Sequence, residues 1–159
     1  TISESVLKIL QLSTVEYHYT DVVSHKESTK YKDLVIPFTE KRFMIKYTGY
    51  IKAGSDLSNI EIDIPDPKTV HIAINHAKIT DNVINEEDLY VYDEKGSLFN
   101  NLKISDVYDV LVSEKAETQA KLIDNGFLKE ADERAKELIT EFLKAMNYEN
   151  IVIRFHPKL

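Results

Sequence analysis

The sequence predicts an α+β domain, in which a twisted antiparallel sheet of about five to seven strands packs against carboxyl-terminal helices. Apolar and polar residues alternate through much of residues 13–93, and this two-residue period is typical of half-buried strands. Apolar residues then recur at helical spacing over residues 105–147, and a last alternating segment covers residues 150–156. The length of 159 residues predicts a single domain around one core.

The first elements are a short helix and a strand. Residues 3–12 carry an apolar stripe at helical spacing, with Ser3 or Ser5 as the expected N-cap. Period two begins at residue 13 and continues to residue 24, after which residues 24–33 are polar and predict a loop. The next apolar residues, 34–38, include a proline, which argues against a central strand.

Three alternating segments, residues 42–52, 59–64 and 70–74, predict consecutive strands of an antiparallel meander. Phe43, Ile45 and Tyr47 form the apolar, inward face of the first segment, and Gly49 lies on the same face, which indicates a bulge or a close backbone approach. Shorter strands are expected at 79–84 and 89–92.

Residues 53–58 join the predicted strands 42–52 and 59–64 and contain one glycine. This glycine raises the question of whether the junction is a ligand-binding loop. A phosphate-binding loop needs several glycines followed by a helix, whereas the residues after Gly54 alternate as a strand. A turn is therefore favoured, with positive φ at Gly54 and a local Asx or ST hydrogen bond from Asp56 or Ser58. Asp56 is a structural residue first and a ligand-binding candidate second.

The carboxyl-terminal part predicts two helices. Ser105 is the expected N-cap of the first, and Asn125-Gly126 is a typical helix stop, so we expect either a break or a kink at Gly126. Packing of the second helix on the sheet is the default interpretation. Self-association through the alanine-rich segment around Ala116 and Ala120 is the alternative.

Composition excludes several functions. The chain has 27 acidic and 20 basic residues, and a net charge of −7 argues against nucleic acid or anionic lipid as the main partner, apart from a local patch at residues 26–32. No cysteine is present, which excludes disulfides, thiol nucleophiles and thiolate metal sites. No apolar run is long enough to span a membrane.

Candidate chemistry is sparse, and neither a catalytic residue nor a cofactor is predicted. Glu16, His18 and His71 would form a metal site if their strands were neighbours, and this set or Asp56 would then serve a hydrolase or a metal-dependent enzyme. Solvated strand positions are the alternative interpretation. Tyr17, Tyr19 and Tyr47 would, with other tyrosines, line a groove that stacks a sugar or peptide, although tyrosines at core and edge positions are commoner.

Several motifs resemble a bacterial family known only as domain of unknown function number 4230. The most specific is Lys-Ala-Gly-x-Asp-Leu-Ser, and weaker motifs extend across most of the chain. The matching segments are Leu12-Ser13-Thr14-Val15-Glu16-Tyr17, Lys52-Ala53-Gly54-Ser55-Asp56-Leu57-Ser58, Val91-Tyr92-Asp93-Glu94, Ser97-Leu98-Phe99-Asn100 and Asn125-Gly126-Phe127-Leu128. The layout is also loosely similar to band-seven (stomatin-like) domains.

The resemblance implies an N-terminal membrane anchor before this domain and brings no catalytic residue or cofactor. The chain begins at Thr1 rather than Met, so we expect a preceding segment to have been removed. The expected function is a non-catalytic binding or assembly domain, extracytoplasmic and attached to the membrane only through the missing segment. A protein partner or self-association is expected.

Overall fold

The computed structural model describes residues 1–95 and 100–158, without the side chains of residues 93–95. Ser97-Leu98-Phe99, part of one family motif, therefore lies outside the described residues. Within them are helices α1 (Ile2–Leu12), α2 (Ile104–Asp124) and α3 (Phe127–Ala145), with a 3₁₀ turn at Glu86–Asp88. The strands are β1 (Thr14–Glu27), β2 (Lys30–Tyr31), β3 (Leu34–Val35), β4 (Lys41–Gly54), β5 (Glu61–Asp66), β6 (Thr69–Ile74), β7 (Lys78–Ile84), β8 (Tyr90–Lys95) and β9 (Asn150–Phe155).

The strands of the described residues form three sheets, and the predicted α+β class is confirmed. Strand β4 pairs with β1, β7 and β8; β2 pairs with β3; and β5, β6 and β9 form the third sheet. The last strand pairs with β6 in parallel, whereas β5 pairs with β6 antiparallel. Parallel pairing requires a long connection, and here the chain passes through β7, β8, α2 and α3 before it returns to β6.

The predicted three-strand meander is wrong, because β4 belongs to one sheet and the β5–β6 hairpin to another. The residues after β4 make an Asx turn in which the Asp56 carboxylate accepts a hydrogen bond from the Ser58 backbone N–H at 3.1 Å. Gly54 does not adopt positive φ, whereas Gly126 does so among the glycines of residues 1–95 and 100–158. Alternation identifies strands, but it does not identify which strands pair.

The chain divides into two compact units, and β1, β4, β7 and α2 contribute residues to both. Unit 1 contains residues 1–17, 51–81 and 121–159, and unit 2 contains residues 18–50 and 82–120. The expectation of a single domain over residues 1–159 stays a prediction.

Unit 1 contains the three-stranded sheet of β5, β6 and β9, with α1 and α3 packed on one face. Ile72 and Ile74 on β6 pack against Ile139 and Leu143 of α3, and all four side chains are buried. Val6 and Leu10 of α1, Val70 and Ala135 complete this core. The second carboxyl-terminal helix, α3, therefore packs on this sheet, as its periodicity predicts, and the amino-terminal helix α1 packs beside it. The N-cap of α1 is Thr1 rather than Ser3 or Ser5, because its hydroxyl accepts the Glu4 N–H.

Unit 2 has its own core, in which alternate residues of β4 are buried against α2. Phe43, Ile45 and Tyr47 are completely buried and Val110 of α2 is nearly so, which confirms the predicted inward face. The close approach expected at Gly49 is also confirmed. A Cβ built at this position would lie 2.7 Å from the Tyr19 hydroxyl oxygen and 2.7 Å from the Val83 carbonyl oxygen.

Two predicted boundaries are wrong. Strand β1 extends to Glu27, so the expected polar loop begins later and contains the small β2–β3 hairpin. Polar side chains are compatible with β1 because most of its positions are exposed. Helix α2 begins at Ile104, before the predicted N-cap Ser105, and the Asp106 carboxylate accepts the Lys103 N–H at 2.7 Å. The break at Asn125-Gly126 is confirmed, with Gly126 at φ 91°.

Candidate functional site

The predicted metal-ligating residues lie on strands that do not pair. Glu16 and His18 are on β1, whereas His71 is on β6 in another sheet. The condition for that site, neighbouring strands, is not met. Glu16 forms an ion pair with Lys52, with 3.3 Å between Glu16 Oε1 and Lys52 Nζ. In residues 1–95 and 100–158, no group of three or more potential ligands is placed to hold a metal ion.

His71 lies on the face of the β5–β6–β9 sheet opposite the buried residues of β6. It stands across from Asp63 on β5 and Val152 on β9, and Arg154 follows on β9. These residues line a depression of about 140 Å³, together with Glu61, Ile72 and Ala73. Polar strand residues facing water on one side of a sheet are the usual arrangement, so this depression alone does not indicate chemistry.

The three candidate tyrosines do not form an open groove. Tyr47 is completely buried, and its ring meets that of Tyr19 edge-on at 6.1 Å between centroids. Burial raises the pKa of Tyr47 well above its ordinary value, and the negative charges of Asp21 and Glu114 add to the shift. Tyr17 is 43% exposed and Tyr19 is half-buried. A ligand that stacks on rings would therefore find only Tyr17 well exposed among these three.

Asp56 forms a hydrogen bond with the Ser58 backbone and an ion pair with Lys78. Hydrogen bonds from the Ser58 hydroxyl and backbone N–H, followed by the nearby Lys78 ammonium, hold the pKa of this carboxyl below its usual range. Lys78 Nζ lies 3.3 Å from Asp56 Oδ1. The carboxylate thus stabilises the turn, as the sequence indicates.

One polar pair was not predicted. His76 Nδ1 lies 2.6 Å from Asp132 Oδ2, and the other carboxylate oxygen accepts the Ala77 backbone N–H at 2.6 Å. The His76 ring stacks on Phe155 at 5.0 Å. These contacts connect the segment after β6 to α3 and β9, which is a structural role. The partners are 56 residues apart, and no spacing motif links them.

A second unpredicted feature is the buried Lys41 in unit 2. Its ammonium lies 2.8 Å from Asp106, 3.3 Å from Glu27 and 3.4 Å from the Asn100 side-chain oxygen. Burial alone would lower the pKa of Lys41, but hydrogen bonds and charge from Asp106 and Glu27 outweigh it and raise the pKa. The pair stabilises the packing of α2, since Asp106 lies in the first turn of that helix.

Another surface feature is a β-hairpin between β1 and β4. Strands β2 and β3 are joined by Lys32 and Asp33, which both have positive φ, at 46° and 67°. This is the geometry of a tight two-residue hairpin turn. At the base, the Thr39 hydroxyl accepts the Thr29 N–H at 3.0 Å and donates to the Ile36 carbonyl at 2.7 Å. The loop is therefore an ordered hairpin, and we call residues 30–38 the hairpin tip.

The hairpin tip is apolar and exposed. Five of its side chains are large, apolar and exposed, namely Tyr31 at 64%, Leu34 at 73%, Val35 at 56%, Ile36 at 39% and Phe38 at 76%. Soluble proteins commonly expose single apolar side chains, but several exposed within one short segment indicate an interaction surface. The hairpin tip is therefore the candidate functional site. Sequence reasoning identified residues 34–38 as apolar but not their exposure.

The fold and this surface define an α+β domain with an exposed apolar β-hairpin. The chain belongs to the family described as Protein of unknown function (DUF4230), whose model matches residues 4–153. The family predicted from the motifs is thus confirmed, and the similarity to band-seven domains stays a prediction. No curated protein and no solved structure matches the chain. No helix among residues 1–95 and 100–158 is long and apolar enough to cross a bilayer.

Proposed function

We propose that this chain is a non-catalytic binding or assembly domain and that the hairpin tip is its binding surface. One observation carries the proposal: five large apolar side chains are exposed within the eight residues from Tyr31 to Phe38. Covering an apolar side chain of this size contributes roughly 1.5–3 kcal/mol, so a partner that covers several gains substantial affinity. The ordered turn and the Thr39 hydrogen bonds favour binding, because a preformed surface loses little entropy on association.

We further propose that the domain works outside the cytoplasm and is held at the membrane by an anchor before Thr1. The support is the family resemblance, since members are expected to carry such an anchor. A membrane-bound domain meets its partners at high local concentration, which makes even a small binding surface effective.

Photo-crosslinking in intact cells tests the binding function. The full-length protein is produced with a photoreactive amino acid in place of Leu34 or, as a matched control, of Ile104. Ile104 is also apolar and is 90% exposed, but it lies at the start of α2. The proposal expects a crosslinked product at position 34 that is much more abundant than at position 104. Equal or absent crosslinking at both positions contradicts it.

The location is tested by thiol labelling, which the absence of cysteine from these residues makes simple. Ala116 is exposed on α2, so Ala116→Cys introduces one accessible thiol at little structural cost. An extracytoplasmic domain is expected to react in intact cells with a maleimide that cannot cross membranes. The protein without the substitution gives the background. Labelling that appears only after the cells are lysed contradicts the proposed location.

A further inference from the structure

We propose that the partner of the hairpin tip is the surface of a lipid bilayer containing anionic phospholipid, into which the tip inserts. This inference rests on the proposed binding function and names its ligand. It is carried by the way in which apolar side chains are distributed around the hairpin and by the charges beside them.

Apolar side chains project from both faces of the hairpin. Tyr31 pairs with Leu34 and Lys30 pairs with Val35. Because side chains alternate along a strand, these two pairs point to opposite faces of the ribbon. Leu34 and Val35 are neighbours in sequence and are 73% and 56% exposed, so neither face is covered in the described structure. A partner protein docks most readily on one face and would leave the other apolar face in water. A bilayer surrounds the tip on all sides.

The local charge suits an anionic surface. The hairpin tip contains Lys30, Lys32 and Asp33, so its formal charge is positive, whereas the whole chain carries −7. Long lysine side chains at a membrane keep their ammonium groups at the level of the headgroups while their stems lie among apolar atoms. Tyr31 is a residue type that favours the same interfacial region. The acidic remainder of the chain is repelled by the surface, which limits contact to the tip.

The dimensions also agree. Strands β2 and β3 have two residues each and are joined by a two-residue turn. At about 3.4 Å per residue, the hairpin therefore projects roughly 10 Å from the base of its strands. Amphipathic helices that lie in the membrane interface bury their apolar face to a depth of about 5–10 Å, which is comparable to the length of the hairpin tip. The tip therefore reaches the boundary of the hydrocarbon without spanning it.

Tryptophan fluorescence provides a direct test, because the chain contains no tryptophan. Leu34→Trp and Val35→Trp place one reporter on each face, and Ile104→Trp is the matched exposed control. The purified 159-residue chain is titrated with vesicles of phosphatidylcholine containing about one quarter phosphatidylglycerol. We expect a blue shift at both hairpin positions and none at position 104. A shift on one face only, or on neither, overturns the proposal. A blue shift that grows with protein concentration in the absence of vesicles also overturns the proposal, because it would indicate that a second copy of the chain covers the hairpin tip.

Vesicle co-sedimentation measures the energetic contribution. Leu34→Ser and Val35→Ser are each expected to weaken binding by roughly tenfold, whereas Ile104→Ser leaves it unchanged. Lys30→Gln with Lys32→Gln is expected to weaken binding to the anionic vesicles but not to vesicles of phosphatidylcholine alone. Circular dichroism confirms that each variant is folded. Ser substitutions without effect on sedimentation overturn the inference.

The two proposals fail differently. Crosslinking of position 34 to a protein in cells, without vesicle binding by the purified chain, overturns the lipid partner and retains the binding function. Absence of any crosslink at position 34, to lipid or to protein, removes both.

Discussion

Replacing Lys41 by Met tests the role of the buried ion pair in unit 2. The Lys41 side chain is 5% exposed and that of Asp106 is 17% exposed, with 2.8 Å between the charged atoms. Met retains most of the aliphatic volume and removes the ammonium. The Asp106 carboxylate would then keep the hydrogen bond from the Lys103 backbone N–H but lose the positive charge of the Lys41 ammonium.

The expected loss of stability is about 3 kcal/mol. Removing one partner of a buried ion pair costs roughly 3–5 kcal/mol, because the remaining charge is left in a poorly solvated position. The lower end applies here, since Asp106 keeps a backbone hydrogen bond and Glu27, the second partner, is half exposed. Such a loss is a large part of the roughly 5–15 kcal/mol by which domains are stable.

Urea denaturation followed by circular dichroism provides the assay, with an expected fall in midpoint of roughly 1–2 M. Lys78→Met is the matched control, because Lys78 also forms a 3.3 Å ion pair, with Asp56, but its side chain is 60% exposed. Exposed pairs contribute under about 1 kcal/mol. Equal effects of the two substitutions would refute the argument from burial. Adding Asp106→Leu to Lys41→Met is expected to recover part of the loss, because the orphaned carboxylate is gone.

The same pair predicts a pH dependence. The hydrogen bond from Lys41, followed by that from the Lys103 N–H, holds the pKa of Asp106 below its ordinary value. A depressed carboxyl pKa stabilises the folded state above the ordinary value, about 3.9, and this contribution is lost as the pH falls through the folded-state pKa. The stability difference between the unsubstituted chain and Asp106→Asn should therefore narrow between about pH 5 and pH 2. A difference that is constant or widens in acid contradicts this assignment.

Three glycines give further predictions. Gly49→Ala is expected to destabilise the fold by roughly 2–3 kcal/mol, because its Cβ would overlap the Tyr19 hydroxyl and the Val83 carbonyl, and a backbone oxygen cannot easily move. Gly54→Ala, whose nearest neighbour atom would be at 3.4 Å, is the control and should change stability by under about 1 kcal/mol. Gly126→Ala should cost about 1–2 kcal/mol through its left-handed backbone alone, since no atom from residues beyond its immediate chain neighbours lies within 4 Å of the added Cβ. Thermal melts measure all three, and a destabilised Gly54→Ala together with an unaffected Gly49→Ala would contradict the reasoning.

Local patterns predicted most of the elements. The alternation in residues 42–52 identified Phe43, Ile45 and Tyr47 as inward-facing, and Asn125-Gly126 located the break between the two long helices. These signals are local, because period two and a left-handed helix stop depend on neighbouring residues only.

Pairing could not be predicted in the same way. The partner of β4 is decided by contacts between residues far apart in the chain, so the assumed meander failed while each of its strands was correct. The same limit applies to His76 and Asp132, and to Lys41 and Asp106, which are 56 and 65 residues apart. Polar pairs of this kind have no spacing signature, and only the folded chain brings their partners together.

The exposure of the hairpin tip is also a property that only the folded chain reveals. An apolar run such as residues 34–36 normally predicts burial, since covering apolar surface is the main driving force of folding. Here the turn at Lys32 and Asp33 forms a hairpin that the described residues leave open on both faces. Folding does not remove these side chains from water, so a binding partner that covers them gains the free energy of burying their apolar surface. A residue that is apolar by sequence and exposed by structure is therefore the best guide to function in this domain, where sequence motifs for catalysis are lacking.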